Sequence, residues 1–139
     1  MDRKTFKGII DKIETVVNEV RMAGHESVCI CGSSRFCDLI AVVKWRLEGV
    51  GIPATGLHLL PDWYWVGMNH MSGGHGAEQE GVSKIMDELH LEKIRQSGAV
   101  LIVNPNNYIG ERTRFEIEYA KNLNKHIYYY KKQLIKRKP

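Results

Sequence analysis

Apolar side chains recur near the start of the chain at Phe6, Ile9, Ile10, Ile13, Val16, Val17 and Val20. Steps of mostly three and four residues place them on one side of a helix, which predicts an amphipathic helix over residues 2–23. "AGHES" ends it, and "SVCIC" (27–31) predicts a short buried strand. A helix is expected over 35–49, broken by "GVGIP", and then a weaker strand in "IPATGLHLL" (52–60). Residues 61–81 lose all periodicity and hold five glycines, so they are expected to form a long loop. Helical patterning returns over 82–98, and "AVLIVN" (99–104) is the strongest strand signal in the chain. A loop (105–113), a helix (114–125) and a last strand, "HIYYY" (126–130), complete the pattern.

Strands that alternate with helices predict an α/β fold with a parallel sheet covered on both faces. Right-handed crossovers make 2-1-3-4 the economical strand order, a three-layer flavodoxin- or Rossmann-like sheet of about four strands with an extra N-terminal helix. The reading is one domain over residues 1–139: a helix to residue 24, an α/β core over 26–130 and a basic tail over 131–139. The N-terminal stripe has two possible destinations, the sheet or a second subunit. In such a sheet, ligands bind above the carboxyl ends of the strands where the order reverses, here between strands 1 and 3. The loops over that crevice are "CGSSRF" and "NPNNYIGERTRFE".

Charge changes this picture little. The formal net charge is +4, but Lys131, Lys132, Lys136, Arg137 and Lys138 crowd the last nine residues. Without them 15 basic face 16 acidic side chains, so a solubilising tail is expected and no stable nucleic-acid complex. Nothing approaches the roughly 20 apolar residues of a membrane span, and "MDRKTFKGII" lacks the apolar centre of a signal peptide. Cys29, Cys31 and Cys37 lie within nine positions, and the first two alternate on one strand. That is a poor basis for a disulfide framework, so a reduced, cytoplasmic protein is expected. Both strand thiols point to one face, and no second ligand pair stands nearby in sequence, so no metal site is expected. No cofactor is expected either.

Gly32, Ser33, Ser34 and Arg35 join a strand end to a helix start. They suit a phosphate, through close backbone approach, free N–H groups and a guanidinium. A serine that merely caps the helix explains the same residues. "TRFE" from Thr113 to Glu116 fits a capping box, yet a carboxylate at the mouth of that crevice is also placed to attack a sugar carbon. His90, among Leu89, Leu91 and Ile94, reads as a half-buried structural histidine or as a proton donor. Of Trp63, Tyr64 and Trp65, at least one should be exposed or cover a ligand. His70 and His75 lack metal-ligand spacing.

"CGSSRF", "LHLEKIRQSGAVLIVNPNNYIGERTRFEIEYA" and "KHIYYY" together resemble the nucleoside 2-deoxyribosyltransferase superfamily over residues 28–130. They resemble in particular its small members that hydrolyse nucleoside 5′-monophosphates. The resemblance implies that Glu116 is the nucleophile on the sugar C1′ carbon. It implies that Gly32, Ser33 and Arg35, with Ser34 beside them, contact sugar and phosphate, and that Gly110 is the loop glycine before the nucleophile helix. Asn104 and Trp63 are further candidates for substrate contact. Where the family carries an aspartate before strand 3 this chain has His90, and where a second aspartate opens strand 3 it has Gly98.

The expected reaction is cleavage of an N-glycosidic bond through a glycosyl-enzyme ester on Glu116, with His90 protonating the departing base. A helix starting at Gly81 would set His90 roughly 13 Å below the crevice, so that role needs a start nearer Asp87 and His90 within about 8 Å of Glu116. A nucleotide-binding protein without chemistry and a glycohydrolase of an NAD-like substrate are the alternatives. The family's habit implies a homodimer or larger homo-oligomer.

Overall fold

The computed structural model describes residues 2–56 and 81–132. Trp63, Tyr64, Trp65, His70 and His75, the far half of the second predicted strand and residues 133–139 of the tail lie outside the described residues.

Helix α1 (Arg3–Ala23) starts where the Asp2 carboxylate accepts the Thr5 N–H at 2.8 Å, and it ends at Gly24, whose φ of 74° is left-handed. The second half of its stripe, Ile13, Val16, Val17 and Val20, is buried in the core against the sheet, while Phe6 at its start is exposed. Burying each such side chain contributes about 1.5–3 kcal/mol. Strand β1 (Val28–Gly32) leads through a single 3₁₀ turn (Ser34–Phe36) into α2 (Cys37–Gly49) and β2 (Ala54–Thr55). Beyond residue 80 come α3 (Ser83–Gln96), β3 (Ala99–Val103), a 3₁₀ turn (Pro105–Asn107), α4 (Glu111–Asn122) and β4 (His126–Tyr129).

All pairings are parallel and the sheet order is β2-β1-β3-β4, as the alternation of elements predicts. Strands β1 and β3 are buried at every position, because a central strand with helices on both sides has no solvent face. Their register runs from Val28 opposite Ala99 to Gly32 opposite Val103. Alternate residues divide the core in two. Val28, Ile30, Leu101 and Val103 pack with α1 and α2, while Cys29, Cys31, Val100 and Ile102 pack with Ile94 of α3 and with Ile117 and Ala120 of α4. No described helix is long and apolar enough to cross a membrane.

Two boundaries differ from the sequence reading, and both matter to the site. Helix α4 starts three residues earlier than expected, with Gly110 as its cap, so Thr113 is inside the helix and cannot cap it. The capping box therefore does not exist, and Glu116 stands in the second turn. Helix α3 starts at Ser83, not near Asp87, and carries His90 as its eighth residue.

Candidate functional site

The rim of the crevice is made by two turns. Ser33 caps its 3₁₀ turn by accepting the Arg35 N–H at 3.3 Å, so the capping explanation holds for this hydroxyl. Gly32 has a different reason from the one expected. A Cβ there would stand 2.9 Å from the Val103 carbonyl oxygen, so the neighbouring strand already requires the glycine. Across the crevice, Asn106 and Asn107 adopt left-handed backbone, with φ of 56° and 59°, a conformation asparagine tolerates better than most residues. The chain turns back there and delivers Tyr108. Its ring takes the Arg35 guanidinium at 4.2 Å from the centroid and meets Phe36 edge-on at 5.7 Å. Arg35 remains exposed at this rim, and Gly110 follows as the cap of α4.

Beneath the rim lies a chain of charged and polar groups. Helices α3 and α4 pack on the same face of the sheet, and both run down it from the strands' carboxyl ends. His90 and Glu116 sit about 10 and 8 Å below their helix starts, so they reach similar depth. That shared descent is why His90 meets Glu116 although α3 begins above Asp87. Nε2 of His90 is 3.6 Å from Oε1 of Glu116, and the two residues are 1% and 2% exposed. Arg112, one turn before Glu116, approaches Oε2 at 3.5 Å. It also reaches α3, at 3.7 Å from the Asp87 carboxylate and 3.3 Å from the Asp87 carbonyl oxygen. From the other side, Sγ of Cys31 lies 3.2 Å from Nε2 of His90.

Burial sets the ionisation here. Loss of water raises the Glu116 carboxyl from its ordinary 4.5 to about 7; Asp87 adds to the rise and Arg112 opposes it. The Cys31 thiol is pushed well above its ordinary value by its hydrogen bond to Cys29, by burial and by the charges of Cys29 and Glu116. At neutral pH Glu116 therefore exchanges between acid and carboxylate, whereas Cys31 keeps its proton. A buried carboxyl near 7 beside an imidazole can move a proton within the molecule.

Of the residues expected at the site, Glu116 and His90 come together, and Arg35 stands at the rim above them. Asn104 has another occupation. It is fully buried, its Nδ2 donates to the Lys131 carbonyl and its Oδ1 accepts the Lys131 N–H, both at 2.9 Å. It fastens the chain after β4 and is not free to meet a ligand. Gly98 lies at the opposite end of β3, where a Cβ would stand 3.2 Å from the Ser27 carbonyl oxygen, so its difference from the family pattern does not reach Glu116. The sequence reading missed Cys31, Arg112 and Tyr108. Only Arg112 had a local signal, the i,i+4 spacing to Glu116. No second ligand pair was expected near the two strand thiols; α3 brings a single further donor, His90, against them. The chain matches no family model, no curated protein and no solved structure.

Proposed function

We propose that this protein cleaves the N-glycosidic bond of a nucleoside 5′-monophosphate or a related nucleotide. The observation that carries the reading is the buried Glu116–His90 pair, 3.6 Å apart beneath the strand 1–strand 3 crevice. Transfer from the Glu116 carboxyl to His90 leaves a carboxylate and an imidazolium, which are the two species the reaction needs. The carboxylate forms a bond to C1′ as the bond to the base breaks, and the imidazolium gives its proton to the departing base. Water then releases the sugar phosphate, or a second base accepts it. Arg35, exposed over Tyr108, is the cation available to a phosphate at the rim.

Retaining glycosidases hold their two groups roughly 5–5.5 Å apart, so an inserted sugar has to part this pair by about 2 Å. The present closeness and burial of the pair favour the second reading, a nucleotide-binding protein without chemistry. The homo-oligomer expected from the family resemblance belongs to the proposal as well, and sedimentation of the purified chain measures it.

Chromatography of the protein with a panel of ribo- and deoxyribonucleoside monophosphates, nucleosides and NAD separates the readings. Free base from one of these substrates, falling more than about 10³-fold in Glu116→Gln while nucleotide binding persists, is the expected outcome. Equal turnover by the variant removes Glu116 from the chemistry. No base from any substrate, with a nucleotide still raising the melting temperature, establishes the binding protein.

A further inference from the structure

Cysteine is often no more than a small apolar side chain in a core, and a buried histidine is often satisfied by one hydrogen bond. The arrangement on the α3/α4 face holds more than that. Sγ of Cys29, Sγ of Cys31 and a ring nitrogen of His90 all lie within 4.8 Å of one another, with Nε2 the atom facing Cys31, and all three residues are buried. Alternation along β1 aims both thiols at one face, and the descent of α3 sets an imidazole against them. Three soft donors from two elements thus converge on one point.

We propose that Cys29, Cys31 and His90 form a three-ligand binding site for a thiophilic divalent cation of the zinc class. In a tetrahedral zinc site with Zn–S near 2.3 Å and Zn–N near 2.0 Å, sulfur and nitrogen stand about 3.5 Å apart and two sulfurs about 3.8 Å. Cys31 and His90 stand 3.2 Å apart, and Cys29 lies within 4.8 Å of both. A few tenths of an ångström fit the first two to an ion, and a shift of up to about 1.3 Å brings in Cys29.

Charge supports the same assignment. Loading replaces the two thiol protons by one M²⁺, breaks two S–H bonds, forms two S–M bonds and releases two protons to the buffer. The resulting M²⁺, two thiolates and neutral imidazole sum to zero, which a dry core tolerates far better than an unpaired thiolate. Two sulfurs and an imidazole select zinc-like ions over magnesium or calcium. A loaded ion would also hold Nε2 of His90 and remove it from proton transfer. That consequence, arrest of base release by zinc, rests on the proposed function; the binding itself does not.

The test uses the full chain, reduced, stripped by a chelator and titrated with zinc chloride against a chromophoric chelator. One zinc per chain is expected, with release of two protons. Affinity should fall more than about 100-fold in Cys29→Ala and in Cys31→Ala, and stay unchanged in Cys37→Ser, whose thiol lies elsewhere. Circular dichroism checks that each variant is folded. Should either alanine variant not fold, cobalt(II) added to the wild type decides, through the presence of thiolate-to-cobalt charge-transfer absorption. Absence of stoichiometric uptake, uptake that survives Cys31→Ala, or a cobalt complex without that absorption overturns the proposal. No turnover is read, so this result is independent of whether the protein cleaves nucleotides.

Discussion

The two faces of the sheet use the same strands but are finished differently. Toward α1 and α2 the described core is aliphatic, with Val28, Ile30, Leu101 and Val103 against Val16, Val20, Val43 and Leu47, closed at one edge by Tyr128 and Tyr130. Toward α3 and α4 the strands present Cys29, Cys31, Val100 and Ile102, and the helices add His90 and Glu116 at 1% and 2% exposure. Buried side chains that can titrate lower stability unless they are paired, so a face that keeps them is doing something packing alone does not require. The first face holds the fold together. The second is where chemistry or ion binding can occur.

Substitutions can break that contrast, and the largest expected effect falls on the aliphatic face. Leu101→Ala should cost about 2–5 kcal/mol in urea unfolding and leave the Glu116–His90 pair intact. A loss below 1 kcal/mol would mean that this face is not the anchor. The second effect is a pH dependence confined to the other face. The Glu116 carboxyl in the folded protein lies near 7, above its ordinary 4.5: burial raises it, Arg112 of α4 opposes the rise and Asp87 of α3 adds to it, with His90 of α3 and Cys31 of β1 also facing the group. The folded state then binds more protons than the unfolded chain between those values, so stability falls as pH rises from about 4.5 to 7. The loss attributable to this one group is roughly 3 kcal/mol. Glu116→Gln in the presence of a chelator should flatten that decline in urea titrations at pH 5 and pH 8. A slope identical to wild type would show that the carboxyl is not strained.

Smaller effects separate the rim from its supports. Asn104→Ala should cost about 1–3 kcal/mol, because the Lys131 backbone loses both partners, without changing nucleotide affinity. Arg35→Ala should do the opposite: little loss of stability, with monophosphate binding about 10-fold weaker or more and nucleoside binding unaffected in calorimetry. Ser33→Ala removes the cap of a single 3₁₀ turn, and a change below about 1 kcal/mol is expected. A larger loss of monophosphate binding in that variant would return its hydroxyl to the ligand.

Much of the fold was legible in the sequence. Short-range periodicity carries the information: "SVCIC" and "AVLIVN" announce strands buried on both sides, and the 3–4 spacing from Phe6 to Val20 announces α1. The strand order follows from the handedness of crossovers. Glu116 and His90 were legible as candidates by residue type and by family resemblance, but their distance was not. Estimating His90's depth from its own helix start made it look too deep, because the equal descent of Glu116 belongs to a different helix.

The sequence by itself determined the elements, the parallel 2-1-3-4 sheet, the shared facing of Cys29 and Cys31 and the amphipathic stripe of α1, since each depends on patterns a few residues long or on chirality. Only the tertiary structure decided what those residues meet. It moved the start of α4 to Glu111 and so dissolved the capping box, gave Asn104 to the Lys131 backbone and made Gly32 a demand of strand packing. It also brought His90 between Cys31 and Glu116, which stand 59 and 26 positions away along the chain. Contacts of that range are set by how helices dock on a sheet, and no local pattern encodes the docking.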